Sequence, residues 1–336
     1  MKAYGPTNIS IDSIKKFETD IPSLRPRDLL LKVEGISINP VDTKIRKNLD
    51  ENSLSPVILG WDGIGTVVDK GSDSTLFEIG DKVFWAGDVT RPGSNAEFEA
   101  VDERIVGYAP KFVYAEYAVA MPLTGLTAYE LLFEKLQVSM EDKGKSLLII
   151  NGAGGVGSIA TQMAKHAGLT VISSASNSRA IDWVKNLGAD FTINHHEDLI
   201  SQIHDLGFNY VDYILILNAV DQHMPAVTEL IAPQGRIANI VQPNAPLNLE
   251  KLAHKSASFS FEWMYTKVVS NTSDLKSQHE TLNKISEWLD KGILKSTMTE
   301  NLGEINEINL QRAHKRIEEN RTIGKIVLTD FIDYQN

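Results

Sequence analysis

The chain has 336 residues, 42% of them hydrophobic and 23% charged, with a formal net charge of −11 and no cysteine. Its length and apolar content support two packed domains and exclude a disordered chain. The negative charge argues against a nucleic-acid or anionic-membrane surface, and the absence of cysteine excludes disulfides, thiolate nucleophiles and Cys-ligated zinc.

No apolar stretch of the signal-peptide kind follows MKAYGP at the start. The apolar run at 147–150 is too short to span a bilayer, so a cytoplasmic protein is expected. Residues 28–38 (DLLLKVEGISI) then read as a strand, and 63–69 (GIGTVVD) as another, closed by Gly71. The turn Ile79-Gly80-Asp81 precedes a strand at 82–86, and 97–101 and 104–106 continue the pattern. Short strands at close spacing predict an all-β sandwich or barrel unit.

After Met121-Pro122 the period changes, and 123–136 has apolar residues at helical spacing. Strands at 146–151, 170–174, 191–194, 210–217 and 236–240 then alternate with helices, two of them at 158–167 and 179–187. That alternation predicts a parallel, doubly wound sheet. Past Ser256 it stops. A strand is expected at 258–265, helices at 275–291 and 310–319, and a last strand at 324–330. The order suggests a nucleotide domain inserted between two parts of a β-rich domain.

Gly152-Ala153-Gly154-Gly155-Val156-Gly157 fits G-x-G-x-x-G directly after a predicted strand and at the start of a predicted helix. The first glycine is expected to permit the tight turn, the second to let the backbone approach a pyrophosphate, and the third to let helix and strand pack closely. The helix N-terminus adds N–H groups and a positive dipole end. About 20 residues on, an acid would bind the ribose 2′-hydroxyl of NAD. Here the window reads VISSASNSR, with hydroxyls and Arg179 but no acid. A 2′-phosphate accepts hydrogen bonds from such groups, so NADPH is expected in preference to NADH.

Residues 1–165 hold neither Cys nor His, and all eight histidines lie at 166 or later. The β-rich part therefore lacks the ligands that catalytic zinc sites use. The pair His195-His196 does not have the spacing that puts two imidazoles on one helix face. Without a Lewis acid, hydrogen-bond donors must polarise the substrate oxygen, which favours quinones and α,β-unsaturated carbonyls.

These residues carry a resemblance over nearly the whole chain. It rests on GISINPVDTKIR (35–46), LGWDGIGTVVDKG (59–71), GDKVF (80–84), PLTGLTAY (122–129), the glycine turn, LGAD (187–190) and RTIGKIVL (321–328). In order and spacing they resemble the medium-chain dehydrogenase/reductase superfamily, in its zinc-independent quinone oxidoreductase branch, and bacterial proteins called zinc-type alcohol dehydrogenase-like. The resemblance implies a GroES-like catalytic domain (1–121 and 259–336) interrupted by a Rossmann NADPH-binding domain (122–258), with the active site in the cleft between them, and a homodimer. It implies that a Cys of the zinc enzymes is replaced near Asn39, and a His-Glu pair near Trp61-Asp62. It further implies that Thr127, Asn218 and Ile240 approach the nicotinamide. Ser174, Asn177 and Arg179 are expected around the adenosine phosphate and His195 near the adenine ribose, with Thr322, Gly324 and Lys325 facing the cleft.

Several candidates have two readings. Asn39-Pro40 is turn chemistry or places an amide donor toward substrate. Lys44 donates to a developing oxyanion or is simply solvated. Trp61 and Trp85 wall an aromatic substrate pocket or fill the core. Lys325 holds a phosphate or snorkels at a strand start. No general acid stands out. A hydride-transferring reductase of quinones or enones is the leading reading. An NADPH-binding sensor without turnover and an atypical zinc-type alcohol dehydrogenase are the alternatives.

Overall fold

The computed structural model describes residues 1–50 and 55–331. They form two compact units, 1–126 with 265–336, and 127–264.

The first unit is built on one long strand. Strands β1 (Lys2–Gly5) and β2 (Lys15–Glu18) form a small antiparallel pair. Strand β3 (Asp28–Ile38) is antiparallel to β4 (Asp62–Lys70) and, over its first five residues, to β6 (Phe98–Asp102). Beyond β4 lie β5 (Lys82–Trp85) and β7 (Val106–Tyr108). On the other side of β3 lies β15 (Lys325–Thr329), which pairs in parallel with β14 (Met298–Asn301). Strand β3 is rich in leucine, isoleucine and valine, and Leu29, Leu31, Val33, Ile36 and Ile38 enter the core with Val83, Ile326 and Leu328. Gly65 is required between β4 and β3, because a Cβ there would lie 1.9 Å from the Lys32 carbonyl oxygen.

The second unit is a six-stranded sheet in the order β10-β9-β8-β11-β12-β13, all parallel. Its strands are β8 (Ser146–Ile150), β9 (Thr170–Ser174), β10 (Phe191–Ile193), β11 (Val211–Ile216), β12 (Ile231–Asn239) and β13 (Ser258–Phe261). Near-continuous apolar runs such as SLLII bury on both faces, as parallel sheets covered by helices require. The chain builds outward from β8 to β10, then returns to β11, so the strand order reverses between β8 and β11. Open α/β sheets bind ligands at the carboxyl ends of strands at such a switch point.

The elements differ from the sequence expectations in specific places. Pro40–Lys47 is a helix, α1, starting with proline at its first turn. The helix expected over 123–136 is α2 (Pro122–Tyr129) followed by a π-helical segment, Glu130–Lys135. Strand β13 pairs with β12 in the parallel sheet, so the sequence-based domain boundary at 258/259 falls inside a strand of the nucleotide unit. Loss of the βα rhythm had hidden it, since only the short helix Glu250–His254 separates it from β12.

Candidate functional site

Strand β8 ends at the glycine turn, and α3 (Gly155–His166) starts within it. The structure redistributes the work of the three glycines. The left-handed residue of the turn is Asn151, at φ 68°, not Gly152. Asparagine tolerates that region better than most side chains. Gly152 is needed for space, because a Cβ there would lie 1.7 Å from Ser173 Oγ. At Gly157 a Cβ would come within 2.6 Å of both the Asn151 carbonyl oxygen and Gly152 Cα, the close helix–strand approach expected. At Gly154 the turn is less crowded than at Gly152 or Gly157, though still tight. The nearest atom to a Cβ would be Asn151 Nδ2 at 3.2 Å. Gly154 is the N-cap of α3, so the open side of the turn faces the unpaired N–H groups of a helix N-terminus, a ready site for a pyrophosphate.

Ser174 and His195 support this turn. Ser174 Oγ accepts from the Asn151 N–H at 2.8 Å and lies 3.0 Å from His195 Nδ1. Burial pushes His195 down to about 4, helped by His196 and His223. The imidazole is therefore neutral at pH 7, with one ring nitrogen a donor and the other an acceptor. Ser174 is fully buried, so the expectation that it contacts a phosphate is corrected. It holds Asn151 and His195 in place instead. His195 opens onto a cavity of about 450 Å³ lined also by His196, Gln222, His223, Glu229 and Lys251.

The residues after β9 are exposed. Asn177 caps α4 (Ser178–Asn186), accepting from the Ala180 N–H at 3.0 Å. Arg179 is exposed in the first turn of that helix, and its guanidinium has no ion pair among the described residues. At the end of β11, Asn218 Oδ1 is buried without a hydrogen-bond partner, and Ala219 adopts φ 41°. A buried acceptor left open next to strained backbone is the pattern of a site that a ligand completes. Ile240 follows β12, half-buried, with its N–H on the Ile216 carbonyl at 3.3 Å. Thr127 is buried in α2.

In the first unit, Lys325 opens β15 with only 3% of its surface exposed. Its Nζ donates to Asp62 Oδ2 at 2.9 Å, to the Ile38 carbonyl at 3.3 Å and to Asn39 Oδ1. Asp62 Oδ2 also accepts from Asn39 Nδ2 at 2.8 Å, and Asp62 Oδ1 from the Leu123 N–H at 2.7 Å. Asp42 lies beside them, its Oδ2 accepting the Asn39 N–H at 2.8 Å and its Oδ1 buried without a partner. Burial pushes the Asp42 carboxyl up to about 7, and Asp62 adds to this. The Asn39 N–H and Lys325 oppose it. Tyr265 stands edge-on to Trp61, their ring centres 6.5 Å apart, and its phenol is pushed well above its ordinary value by burial and by Asp42 and Asp62.

This cluster corrects several expectations. The Asn39 amide hydrogens go to Ser37 O and Asp62, so no donor is left for a substrate. Lys44 is exposed on α1 and takes no part in the cluster, because the buried positions of that helix are 42, 43 and 46. Lys325 neither holds a phosphate nor snorkels; its ammonium is engaged inside the protein. Trp85 is fully buried in the β core, its indole N–H donating to Glu99 at 2.7 Å and its ring against Gly63, so it is not a pocket wall. Trp61 is buried as well. The Thr322 hydroxyl donates to the Arg316 carbonyl at 3.2 Å, ending a helix rather than serving a ligand. Gly324 holds φ 61° just before Lys325. Sequence reasoning missed Asp42, Asp62 and Tyr265 as a group with Lys325. The available signal was one acid and one cation, each set in an apolar run: LGWDGIG and IGKIVL.

Two family models match the chain, the alcohol dehydrogenase GroES-like domain over residues 25–127 and the zinc-binding dehydrogenase model over 155–279. A zinc-type alcohol dehydrogenase-like protein of Staphylococcus aureus (strain MSSA476) is 44% identical, over 94% of each chain. A 2-methylene-furan-3-one reductase of Solanum lycopersicum is 29% identical, over 98% of this chain and 79% of its own. Among solved structures, a Rhizobium etli CFN 42 protein assigned to the zinc-dependent alcohol dehydrogenases is 38% identical, with a TM-score of 0.94 over 99% of each chain. A mycobacterial protein complexed with NADPH is 25% identical, with a TM-score of 0.84 over 98% of this chain and all of its own.

The zinc in these names can be tested against the residues here. Asp62 is bonded to an amide and an ammonium, neither of which binds a cation as imidazole or thiolate does. No group of three or more His, Asp or Glu residues is placed to hold a metal ion among the described residues. This chain does not offer zinc a site at Asp62. A dinucleotide does fit the second unit, where the α3 N-terminus presents unpaired N–H groups and Asn218 an open acceptor.

Two predictions follow from the geometry. Gly154→Ala leaves the melting temperature nearly unchanged while weakening dinucleotide binding, whereas Gly157→Ala costs about 1–3 kcal/mol of stability through overpacking; calorimetry with and without cofactor checks both, and an unchanged affinity in folded Gly154→Ala refutes the turn's role. Asp42 carries a raised folded-state pKa, so it binds a proton more tightly folded than unfolded. Its contribution is complete below about pH 4 and is lost as pH rises to about 7, on the order of 4 kcal/mol at most. Asp42→Asn abolishes that slope, so its stability relative to the parent rises from about pH 4 to about pH 7 and levels off above it in parallel denaturant melts; a constant difference from pH 4 to pH 7 contradicts the assignment.

Proposed function

The chain belongs to the medium-chain dehydrogenase/reductase superfamily, and from that membership we propose that this oxidoreductase is an NADPH-dependent, zinc-independent reductase of quinones or α,β-unsaturated carbonyls. The cofactor half rests on one observation above others: an exposed arginine without an ion pair follows the strand whose end is hydrogen-bonded to the glycine turn, where an acid would select NAD. The NADPH held by the mycobacterial relative is consistent with this reading.

Each residue then has a task. The α3 N-terminus and Gly154 receive the pyrophosphate. Arg179, with the exposed hydroxyls of Ser176 and Ser178, receives the 2′-phosphate, where a guanidinium makes charge-assisted hydrogen bonds that a ribose hydroxyl cannot match. His195, kept neutral, faces the adenine ribose. Asn218 Oδ1 accepts from the nicotinamide side, and Thr127 and Ile240 shape that end. NADPH supplies the hydride when bound.

The substrate half rests on the first unit. With Asp62 engaged by Lys325, the site has no Lewis acid of its own, so an unactivated ketone is a poor substrate. Conjugated carbonyls accept hydride at a carbon remote from the oxygen and delocalise the resulting charge, so positioning supplies much of the rate. The enone reductase named among the relatives points the same way. A sensor role without turnover is favoured by no observation in the structure. One of the two edge strands of the parallel sheet, β13, exposes Phe261 and is the surface we assign to a homodimer; a monomer mass by light scattering would remove that assignment.

Arg179→Ala weakens NADPH binding by about ten- to a hundredfold, from the loss of one charged hydrogen-bonding partner, and leaves NADH within a fewfold; equal losses for both cofactors contradict the 2′-phosphate role. Protein treated with EDTA oxidises NADPH with a quinone or an enone at the rate of untreated protein. Activity that disappears with the chelator and returns with zinc sinks the zinc-independent reading, and absence of turnover with both substrate classes sinks the substrate assignment.

A further inference from the structure

Lys325 is a lysine at a place where lysines are rarely found. Its side chain is 4% exposed, and that of Asp62 is fully buried. A buried ammonium is tolerated only when its hydrogens meet acceptors. Here there are three acceptors for three hydrogens: Ile38 O at the end of β3, Asn39 Oδ1 in the turn after it, and Asp62 Oδ2 at the start of β4. Asp62 is closed in turn by Asn39 Nδ2 and the Leu123 N–H. Two segments, 38–39 and Asp62, thus converge on one positive charge supplied from the far end of the chain. A second carboxyl, Asp42, stands next to it with an oxygen left over. The arrangement has the form of a cation site: oxygen acceptors from different segments around a central charge, with further acid nearby.

We propose that the Lys325 ammonium is the resident cation of this acidic pocket and takes the place of the metal ion that the names of the family models and relatives imply. A tethered ammonium cannot be removed by a chelator and cannot be replaced by zinc without displacing a buried side chain. The proposal rests on the zinc-independent reading above and goes further by naming what neutralises Asp62.

The test uses full-length protein and needs no turnover, so a failed substrate assignment leaves it standing. Wild-type protein incubated with zinc chloride and desalted retains no more zinc than Asp62→Asn; zinc held by the wild type and lost in Asp62→Asn overturns the proposal. Lys325→Ala melts roughly 10 °C lower, as loss of one partner of a buried pair implies. n-Propylammonium chloride, which replaces the deleted carbons and the ammonium, restores much of that loss. Sodium chloride and n-propanol do not. Rescue by n-propanol to the same extent, or no loss at all, shows that only packing mattered and overturns it. If Lys325→Ala does not fold, Lys325→Met is compared with the double variant Asp62→Asn/Lys325→Met. The double variant, with both charges gone, melts higher than Lys325→Met alone; a double variant that melts no higher refutes the pairing.

Discussion

The first unit is organised around the buried contact between Lys325 and Asp62. Strand β15 comes from the end of the chain and β4 from its first quarter, and they lie on opposite sides of β3. Asn39, in the turn that leaves β3, contacts both charged groups. Asp62 also accepts from Leu123 in the first turn of α2, where a carboxylate suits the positive end of the helix. One ion pair therefore fixes the carboxyl end of β3, the start of β15, the start of β4 and the start of α2. Removing one partner leaves an uncompensated charge, which is far more damaging than removing both.

The same contact shapes the chemistry. A carboxylate already engaged by an ammonium, an amide and a backbone N–H, with no imidazole or thiolate beside it, is a poor ligand for a metal. Its neighbour Asp42 is held near neutrality by burial and by Asp62, so the pocket does not accumulate two full negative charges. Glu99 follows the same logic nearby. Burial pushes it well above its ordinary value while the Trp85 indole N–H and Arg91 oppose that shift. Desolvation thus works against full ionisation of both Asp42 and Glu99.

The second unit is organised around the tight turn between β8 and α3. Its turn is held from behind by a chain of hydrogen bonds from Asn151 to Ser174 to His195. The left-handed conformation rests on Asn151, so the glycines are free to serve closeness of approach. Gly152 and Gly157 are filled against by the protein itself, while the nearest neighbour of Gly154 is the end of the Asn151 side chain.

Much of this was legible in the sequence. Periodicity separated the β-rich part from the alternating part, because strands and helices impose different spacings on apolar residues. The glycine spacing and the missing acid after β9 are local features, so the strand–turn–helix at 146–166 and an exposed Arg179 in the first turn of α4 could be read from neighbours in the chain. The absence of histidine before residue 166 is a matter of counting. What tertiary structure decided was every contact between distant segments. The sequence reading left Lys325 as a phosphate holder or a snorkelling surface residue and Asn39 as a turn or a substrate donor. Those choices depend on a partner 263 residues away for Lys325 and 23 away for Asn39. Trp85 was equally undecided until Glu99 and Gly63 were seen to enclose it. Local sequence specifies backbone conformation and the stripe that will be buried. Which buried charge meets which is set by how β15, β4 and the turn after β3 come together, and spacing along a single segment does not encode it.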